Sequence, residues 1–380
     1  MDFIPSHHPL TPPHTAEDRA IWLRLLRSRR VGVSTFYRLM TDHGSAAAAL
    51  TALPEIAREA GVSGYQTCPM SVIDKELNAG RKAGARLIAI GDPTYPAALS
   101  LIPDAPPLIW VKGDVSLFER PMVALVGARN ASSLGLRMAR AVSRDLGAEG
   151  FGIVSGMARG IDAAVHEAAI ETGTVAVLGG GLDVIYPAEN KDLYHKIADT
   201  GVIVSEQPMG MKPFARHFPM RNRIVSGMAL ATVVIEAAAK SGSLLTAGNA
   251  MEQGREVMAV PGHPFDGRSS GCNNLLRDGA SLIRGSRDVI DVLAHASPLA
   301  ITAMETPEDA LTAVEPQTRS FDDLTVLHSE ILSRLGGSAV AEDQLIRDIG
   351  ARAEDVSSQI MTLELDGQIL RKAGGLLARA

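Results

Sequence analysis

The sequence is poor in cysteine and in aromatic residues. Cys68 and Cys272 are the only cysteines among the 380 residues, and they do not form a C-x-x-C pair. Neither a disulfide framework nor a cysteine-ligated zinc site is supported, and the pattern favours a reducing compartment. Aromatic residues make up 4% of the chain, which disfavours an extended platform on which nucleic-acid bases stack.

Long apolar runs are also lacking. No run approaches the roughly 20 residues needed to cross a bilayer, and the N-terminus lacks the basic-then-apolar order of a signal peptide. We therefore expect a cytoplasmic protein without membrane insertion. Hydrophobic residues make up 46% of the chain and charged residues 21%, which predicts a soluble globular protein of two or three domains.

The net charge of −6 argues against a surface that binds nucleic acid everywhere. Acids are nevertheless absent from two stretches that carry basic residues. Residues 19–38 hold six arginines, and residues 207–235 hold Lys212, Arg216, Arg221 and Arg223. Because a local field attracts a local ligand, each stretch is a candidate anion-binding surface.

The predicted domain boundaries follow changes in residue pattern. Residues 1–15, rich in proline and histidine, predict a disordered arm. Residues 16–84 have helical spacing around a Val31-Gly32-Val33 turn, which indicates a SAM-like or helix-hairpin-helix domain that contacts phosphate, or equally a small helical domain with a solvated arginine face. Residues 293–320 predict a linker, and residues 321–380 predict three helices and a hairpin, the plan of a winged helix.

The middle of the chain, residues 85–292, alternates short apolar runs with amphipathic segments. Runs such as Val123-Ala124-Leu125-Val126 are mostly followed by Gly, Ser or Pro and then by a helical pattern. This order is typical of buried parallel strands in a doubly wound α/β sheet. Ligands of such sheets bind at the carboxyl ends of the strands, so the residues after each run are the candidate site.

The first two turns after predicted strands each hold an arginine. The turn after Val126 has one glycine where a dinucleotide fingerprint needs three, so it is a poor nicotinamide site. It offers a helix N-terminus with Arg129 and Ser132, which suits an anion. In the next turn Arg159 precedes Asp162, which suits a helix N-cap better than a catalytic role.

Later turns add positive charge and small residues. A guanidinium fork suits bidentate contact with phosphate, and the amides of a Ser-Gly-Ser turn would form an anion-binding nest beside a lysine. Lys191 begins a helical pattern from which it could reach the same face. The predicted phosphate-binding set is Arg129, Ser132, Arg159, Lys191, Arg221, Arg223, Lys240, Ser241, Gly242 and Ser243.

Catalytic motifs find little support. The P-loop pattern is absent, and His166-Glu167 lacks the second histidine of H-E-x-x-H. Gly267-Arg268-Ser269-Ser270-Gly271 matches G-x-S-x-G, but it lies in a Gly/Pro loop rather than in a strand-to-helix elbow, so we interpret Ser269 as non-catalytic. No cofactor, metal site or catalytic residue is predicted.

Six motifs in order resemble the DNA-processing protein A family (DprA/Smf). The resemblance covers roughly residues 85–285. The motifs are Val126-Gly-Ala-Arg129; Ser155-Gly-Met-Ala-Arg-Gly-Ile-Asp162; Gly179-Gly-Gly-Leu-Asp183 with Tyr186-Pro187 and Asn190; Phe218-Pro-Met-Arg-Asn-Arg-Ile224; Glu236-Ala237 with Ser241-Gly-Ser-Leu-Leu-Thr-Ala247; and Ala259-Val-Pro-Gly262 with Gly271 and Asn273.

The resemblance implies an extended Rossmann-like domain that binds single-stranded DNA in a basic pocket. It also implies a homodimer that protects incoming DNA and loads the RecA recombinase during natural transformation. Carried over by motif, Arg129, Arg221, Arg223 and Lys240 would hold phosphates. Ala128 departs from the serine that is common in the family, which puts a hydroxyl contact there in doubt.

Two other functions stay open. The core is also similar to nucleoside-phosphate hydrolases of the lysine-decarboxylase-like group, for which Glu236 would be the essential carboxylate, although the turn Lys240-Ser241-Gly242-Ser243 lacks the double glycine of that group. A regulator whose winged helix reads duplex DNA is the third possibility. Only Arg371, Lys372 and Arg379 lie near the predicted wing, which is a weak basic footprint.

Overall fold

The computed structural model describes residues 12–296, 324–335, 340–341, 345–346, 349, 353–366, 368–372 and 376–379. It contains two compact units, Met1–Met304 and Glu305–Ala380. Most of the predicted arm over 1–15 and most of the predicted linker over 293–320 lie outside the described residues, so both stay predictions.

The first unit begins with the helices α1 (Ala16–Arg27), α2 (Val33–His43), α3 (Ala46–Glu59) and α4 (Met70–Lys82). Thr15 starts α1 with a capping box: its hydroxyl accepts from the Asp18 amide, and the Asp18 carboxylate accepts from the Thr15 amide, each at 3.0 Å. Gly44 ends α2 in the left-handed conformation, at φ 71°. These caps explain why α1 begins and α2 ends at these residues.

Half of the arginines in the acid-free stretch 19–38 are used inside the fold. Three of them make contacts of 2.8 Å: Arg19 with Asp92, Arg24 with the carbonyl of Cys68, and Arg27 with Glu76. Arg29, Arg30 and Arg38 are exposed. The basic face predicted for this domain is therefore smaller than the sequence indicates, because the acids that balance it come from elsewhere in the chain.

The helices share one apolar core with the sheet that follows them. Trp22 and Phe36 meet edge to face at 5.2 Å and belong to the same buried cluster as Ile88 and Trp110. The indole N–H of Trp110 donates to the Glu76 carboxylate at 2.9 Å. The predicted boundary after residue 84 coincides with the change from helices to strands, and both sides of it pack together in the first compact unit.

A nine-stranded sheet organises the rest of the first unit. Its strands are β1 (Arg86–Ala89), β2 (Leu108–Gly113), β3 (Met122–Val126), β4 (Gly152–Ser155), β5 (Thr174–Val177), β6 (Val202–Ser205), β7 (Ala231–Val234), β8 (Glu256–Ala259) and β9 (Ser281–Leu282). The helices along this part are α5 (Ala97–Ser100), α6 (Ser133–Ala148), α7 (Ile161–Ala169), α8 (Lys191–Thr200), α9 (His217–Gly227), α10 (Ser243–Glu252), α11 (Ser270–Arg277) and α12 (Ser286–Ala296).

The strand order is β1-β2-β6-β5-β4-β3-β7-β8-β9. All pairs from β6 to β9 are parallel, while β1 with β2 and β2 with β6 are antiparallel. After β3 the chain forms β4, β5 and β6 on one side of β3, and it then crosses to form β7 on the other side. The predicted doubly wound, mostly parallel sheet is confirmed, and the adjacent ends of β3 and β7 form its topological switch point.

The central strands are buried on both faces, which explains their continuous apolar runs. Val123 and Leu125 of β3 belong to one buried cluster, and Ala124 and Val126 belong to the other. This alternation is the two-residue period of a strand with an apolar layer on each side. The polar residues needed for ligand binding are consequently displaced to the turns after the strands.

The second unit contains α13 (Leu324–Arg334), β10 (Val340–Ala341), α14 (Ala353–Leu365), β11 (Ile369–Lys372) and β12 (Leu376–Arg379). The strands form an antiparallel sheet in the order β10-β12-β11. Ile331, Val356 and Leu377 are buried in its core. The first and third predicted helices and the predicted hairpin are confirmed here. In the described part of the chain, no helix has the length and apolar character needed to span a bilayer.

Candidate nucleic-acid interface

A groove of about 920 Å³ lies at the switch point of the sheet. Three segments contribute most of its walls: residues 126–130 after β3, residues 238–246 at the start of α10, and residues 218–225 of α9. The first two come from opposite sides of the reversal in strand order. Segments that are far apart in the chain therefore converge at the edge where ligands of such sheets bind.

Six of the ten predicted phosphate-binding residues line this groove, namely Arg129, Arg221, Lys240, Ser241, Gly242 and Ser243. Arg159 lines an adjoining pocket of about 350 Å³ instead, and it pairs with Glu189 at 3.2 Å. Ser132, Lys191 and Arg223 are absent from the walls of both cavities. The ten residues therefore divide into groove residues and residues with other positions.

In the turn from Lys240 to Ser243, which is predicted to form an anion-binding nest, some of the amides are already used within the chain. The amide of Ser241 donates to the Ala238 carbonyl at 2.9 Å, and the amide of Leu244 donates to the Ser241 carbonyl at 3.1 Å. The hydroxyls of Ser241 and Ser243 are 2.7 Å apart. What this turn offers to a ligand is thus the Lys240 charge, two serine hydroxyls and the N-terminal end of α10.

Arg221 lies in the groove wall but is only 5% exposed. Its guanidinium donates to the main-chain carbonyls of Gly156 and Val177, and any side chain at position 156 would collide with it. Burial lowers the pKa of Arg221 to about 10, against the opposing effect of Asp162. The side chain therefore braces the turn after β4 and brings a buried positive charge to the groove floor.

Asp162 is the acid that faces Arg221. Burial raises its pKa, while the Arg221 charge and hydrogen bonds from residues of the turn after β4 oppose the rise. Its carboxylate accepts from the amide of Ala158 at 3.2 Å. The helix N-cap is Gly160, so Asp162 is not the predicted cap but the second residue of α7, which holds the preceding turn in place.

Arg223, which is predicted to hold a DNA phosphate, is instead paired with acids of the same chain. Its guanidinium is 2.5 Å from the Glu206 carboxylate and 3.2 Å from that of Asp104. Only 11% of the side chain is exposed. The helical period explains the difference, because residues two apart on α9 face different directions. Two acids already balance this arginine, and it fixes α9 against the sheet.

Ser132 and Lys191 also have positions other than the predicted ones. Ser132 caps α6 by accepting from the Gly135 amide at 3.0 Å, and its own amide donates to Glu236 at 2.9 Å. Its hydroxyl also donates to Glu236. Lys191 is the exposed first residue of α8, outside the walls of both cavities. The sequence places both near strand ends, but neither faces the groove.

Glu236, the carboxylate that a nucleoside-phosphate hydrolase would need, is hydrogen-bonded within the chain. The residue is 6% exposed, and its carboxylate accepts hydrogen bonds from both the amide and the hydroxyl of Ser132. A carboxylate used in this way stabilises the start of α6 from the neighbouring strand. In the part of the chain that the structure describes, no group of three or more His, Cys, Asp or Glu could hold a metal ion.

Outside the predicted set, three groove residues add a positive charge or an aromatic ring. The guanidinium of Arg129 lies 5.2 Å above the ring of Phe218, and the Tyr186 ring is 5.7 Å from that ring. These two aromatic residues line both the groove and the smaller pocket. Arg268 lines the groove from the loop after β8. Arg268 is part of the G-x-S-x-G match, which was considered only for its serine.

The family described as DNA recombination-mediator protein A matches residues 86–294. The chain belongs to this family. The DprA-like N-terminal HHH domain matches residues 16–79, and the DprA winged helix domain matches residues 315–375. The resemblance found in the sequence motifs is confirmed, and the flanking domains that it implied match as well.

Relatives in the DprA/Smf family cover most of the chain. Protein Smf from Synechocystis is 34% identical over 323 residues, which are 78% of this chain and 81% of that protein. The DNA processing protein DprA from Streptococcus pneumoniae is 45% identical over 204 residues, 53% of this chain and 72% of the relative.

Two solved structures of DNA processing protein A are similar to this chain. The one from Streptococcus pneumoniae has a TM-score of 0.61 and 35% identity, covering 72% of this chain and 97% of its own. The one from Helicobacter pylori is described for its unique single-stranded DNA binding mode. It has a TM-score of 0.51 and 29% identity, covering 56% of this chain and 96% of its own.

Proposed function

We propose that this DprA/Smf protein binds single-stranded DNA in the groove at the switch point, chiefly through the phosphate backbone. One observation carries the proposal: four basic residues and one acid line the groove, in a chain whose net charge is −6. The basic residues are Arg129, Arg221, Lys240 and Arg268, and the acid is the buried Asp162. Such a local positive field attracts a polyanion.

Preference for a single strand follows from the aromatic residues and the smaller pocket. Tyr186 is 50% exposed, and with Phe218 it borders a cavity of about 350 Å³ beside the groove. Unpaired bases can leave the backbone track and contact aromatic rings, whereas the bases of a duplex are held in their own stack. A strand lying along the cations can therefore insert a base only when that base is unpaired.

Fluorescence anisotropy of a labelled oligothymidine against salt concentration tests this function. Lys240→Ala should weaken binding and reduce the slope of log K against log salt by about 0.7, the value for one lost phosphate contact to a single strand. Lys191→Ala is the matched control, because it removes the same charge from an exposed helix residue outside the groove. Its slope should equal that of the wild type.

Two results would contradict the proposed site. One is equal affinity of the wild-type protein for the oligothymidine and for a duplex of the same length. The other is an unchanged salt slope for Lys240→Ala together with a reduced slope for Lys191→Ala. The second result would move the backbone contact out of the groove and toward the start of α8.

The proposed biological role is that of a mediator that hands single-stranded DNA to a RecA-type recombinase in the cytoplasm during natural transformation. Membership of the recombination-mediator family supports this role. We further propose that it acts as a homodimer. The test is nucleation of RecA filaments on single strands coated with single-strand-binding protein, with light scattering for the dimer. Absence of both stimulation and dimerisation would refute these two proposals.

We propose a binding role without catalysis. The support comes from Glu236, the carboxylate that a nucleotide hydrolase would need at this strand end. It accepts two hydrogen bonds from Ser132 and thereby helps to cap α6. Release of free base from nucleoside monophosphates, abolished by Glu236→Gln in a folded variant, would contradict this part of the proposal.

A further inference from the structure

Phe265 is the most exposed large apolar side chain in the described part of the chain, at 95% of its surface. It lies in the loop between β8 and α11. Aromatic side chains that stand fully in water are unusual, because burying one is favourable. A fully exposed phenylalanine at a loop tip is therefore available for a contact that the isolated chain does not make, and its surroundings decide which contact that is.

The loop that carries Phe265 is closed at its base. The side chain of Asn273 accepts from the Gly262 amide at 3.2 Å and donates to the Gly262 carbonyl at 3.0 Å. The guanidinium of Arg268 pairs with Asp266 at 3.1 Å across the turn. A side chain at position 262 would collide with Ser269. These contacts hold the tip out from the surface, so the exposure of the ring does not depend on a loose loop.

The same loop is fastened to the wall of the groove. Ser270 accepts from the amide of Ala239 at 3.0 Å, and the amide of Gly271 donates to the Ala237 carbonyl at 2.8 Å. Both partners precede Lys240 in the turn after β7. Arg268, three residues beyond Phe265, lines the groove. The loop that carries the exposed ring therefore adjoins the groove through Arg268, while the ring itself stands outside the groove wall.

A second ring accompanies Phe265. The His263 and Phe265 rings are 5.6 Å apart and tilted by 37°. Tyr186 and Phe218 line the wall on the β4 and β5 side, with Arg129 and Lys240 also in the walls. Aromatic residues next to cations are the arrangement that single-strand-binding proteins use, because cations follow the backbone while bases stack on rings.

We propose that Phe265, assisted by His263, forms a base-stacking ledge for an unpaired base of single-stranded DNA that leaves the groove past Arg268. The inference rests on the proposed function and adds a second base contact, from the loop after β8, to that of Tyr186 and Phe218. It extends the footprint of the protein by at least one nucleotide. A protein partner at the same tip is the competing occupant, and the experiment below distinguishes it.

The test compares Phe265→Ala with Met251→Ala in the full chain, using labelled oligothymidine and an abasic oligonucleotide of equal length. Met251 is also an exposed apolar residue, at 58%, but it lies at the far end of α10 from the groove. Phe265→Ala should weaken oligothymidine binding about fivefold to tenfold, since one stacked base is lost. The slope of log K against log salt should be the same for Phe265→Ala as for the wild type. The affinity of Phe265→Ala for the abasic strand should also equal that of the wild type.

Phe265→Trp supplies a second readout. Trp22 and Trp110 are 4% and 2% exposed, so a tryptophan at position 265 would be distinguishable as a solvent-exposed fluorophore. Its emission should be quenched by oligothymidine and not by the abasic strand. Urea unfolding of Phe265→Ala should match the wild type, because the ring makes little contact with the rest of the protein.

Each contrary outcome has a defined meaning. Unchanged oligothymidine affinity of Phe265→Ala, while Lys240→Ala loses affinity, overturns the ledge and leaves the proposed function intact. An equal loss on both oligonucleotides overturns base stacking, and an altered oligomeric state with intact DNA binding assigns the tip to a protein contact. If the wild-type protein binds no single-stranded DNA, both the function and the ledge are refuted.

Discussion

Replacing Arg223 with alanine tests whether this residue supports the fold or contacts DNA. The substitution removes the pairs with Glu206 and Asp104 and leaves the Glu206 carboxylate, 8% exposed, without its main counter-charge. Removing one partner of a buried pair typically costs 3–5 kcal/mol. Because Asp104 is 46% exposed and contributes little, we expect a loss of about 3 kcal/mol in the free energy of unfolding.

Urea unfolding followed by tryptophan fluorescence measures this loss, since Trp22 and Trp110 are both buried in the first unit. The double variant Arg223→Ala with Glu206→Gln should recover part of the stability, because it leaves no unpaired buried charge. Burial raises the pKa of Glu206 even beside Arg223. The folded state of Arg223→Ala should therefore bind this proton more readily than the unfolded state, so its deficit should shrink as the pH falls toward 5.

DNA binding decides between the two interpretations of Arg223. If the residue supports α9, the salt slope of oligothymidine binding stays at the wild-type value in Arg223→Ala at a temperature where the variant is folded. A slope reduced by about 0.7 with unchanged stability would refute the reasoning from the ion pairs. It would restore the phosphate role that the sequence predicts.

Three further predictions concern residues around the site. Gly156→Ala should lower stability by about 1–3 kcal/mol and weaken DNA binding, since the methyl group meets the Arg221 guanidinium. Gly248→Ala, with open space at its Cβ, should not do so in the same urea and anisotropy assays. Burial lowers the pKa of His166 to about 3, so below pH 6.5 the unfolded state binds a proton that the folded state does not. The free energy of unfolding should therefore fall as the pH drops below 6.5. His166→Gln should remove up to about 1.4 kcal/mol per pH unit from that slope. Ser132→Ala should cost about 1 kcal/mol in urea unfolding through the lost cap and leave the salt slope unchanged.

The sheet could be predicted because its strands are buried on both faces. A strand such as β3 has no polar positions, so it stands out as an apolar run, and the turn that follows must carry the polar residues. The order of strands and turns along the chain also predicts that Arg129 and Lys240, which follow two strands, lie at the same edge of the sheet.

The roles of single arginines could not be predicted in this way. No acid occurs in residues 207–235, yet Arg223 is paired with two acids, one of them Asp104 from a distant part of the chain. Arg221, two residues away, is directed to main-chain carbonyls. Which face of α9 meets the sheet depends on tertiary packing. The residues of α9 alone do not show which distant residues will contact them in the fold.

The packing of the N-terminal helices was also hidden from sequence. The residue pattern changes after position 84, which correctly separates helices from strands. The contact of Trp110 with Glu76, and of Glu76 with Arg27, joins the two parts through one buried network. Such long-range pairs leave no periodic signal, so the contacts between the helices before residue 84 and the sheet after it could not be predicted from the sequence.

Photo-crosslinking tests the central claim most directly. A single strand carrying 4-thiothymidine would be irradiated with the full chain, and the crosslinked peptides would be mapped by mass spectrometry. The proposed groove predicts crosslinks at the residues that line it, above all Tyr186 and Phe218, and their loss with excess unlabelled single strand. Crosslinks confined to residues 305–380, or to the exposed arginines at positions 29, 30 and 38, would contradict it.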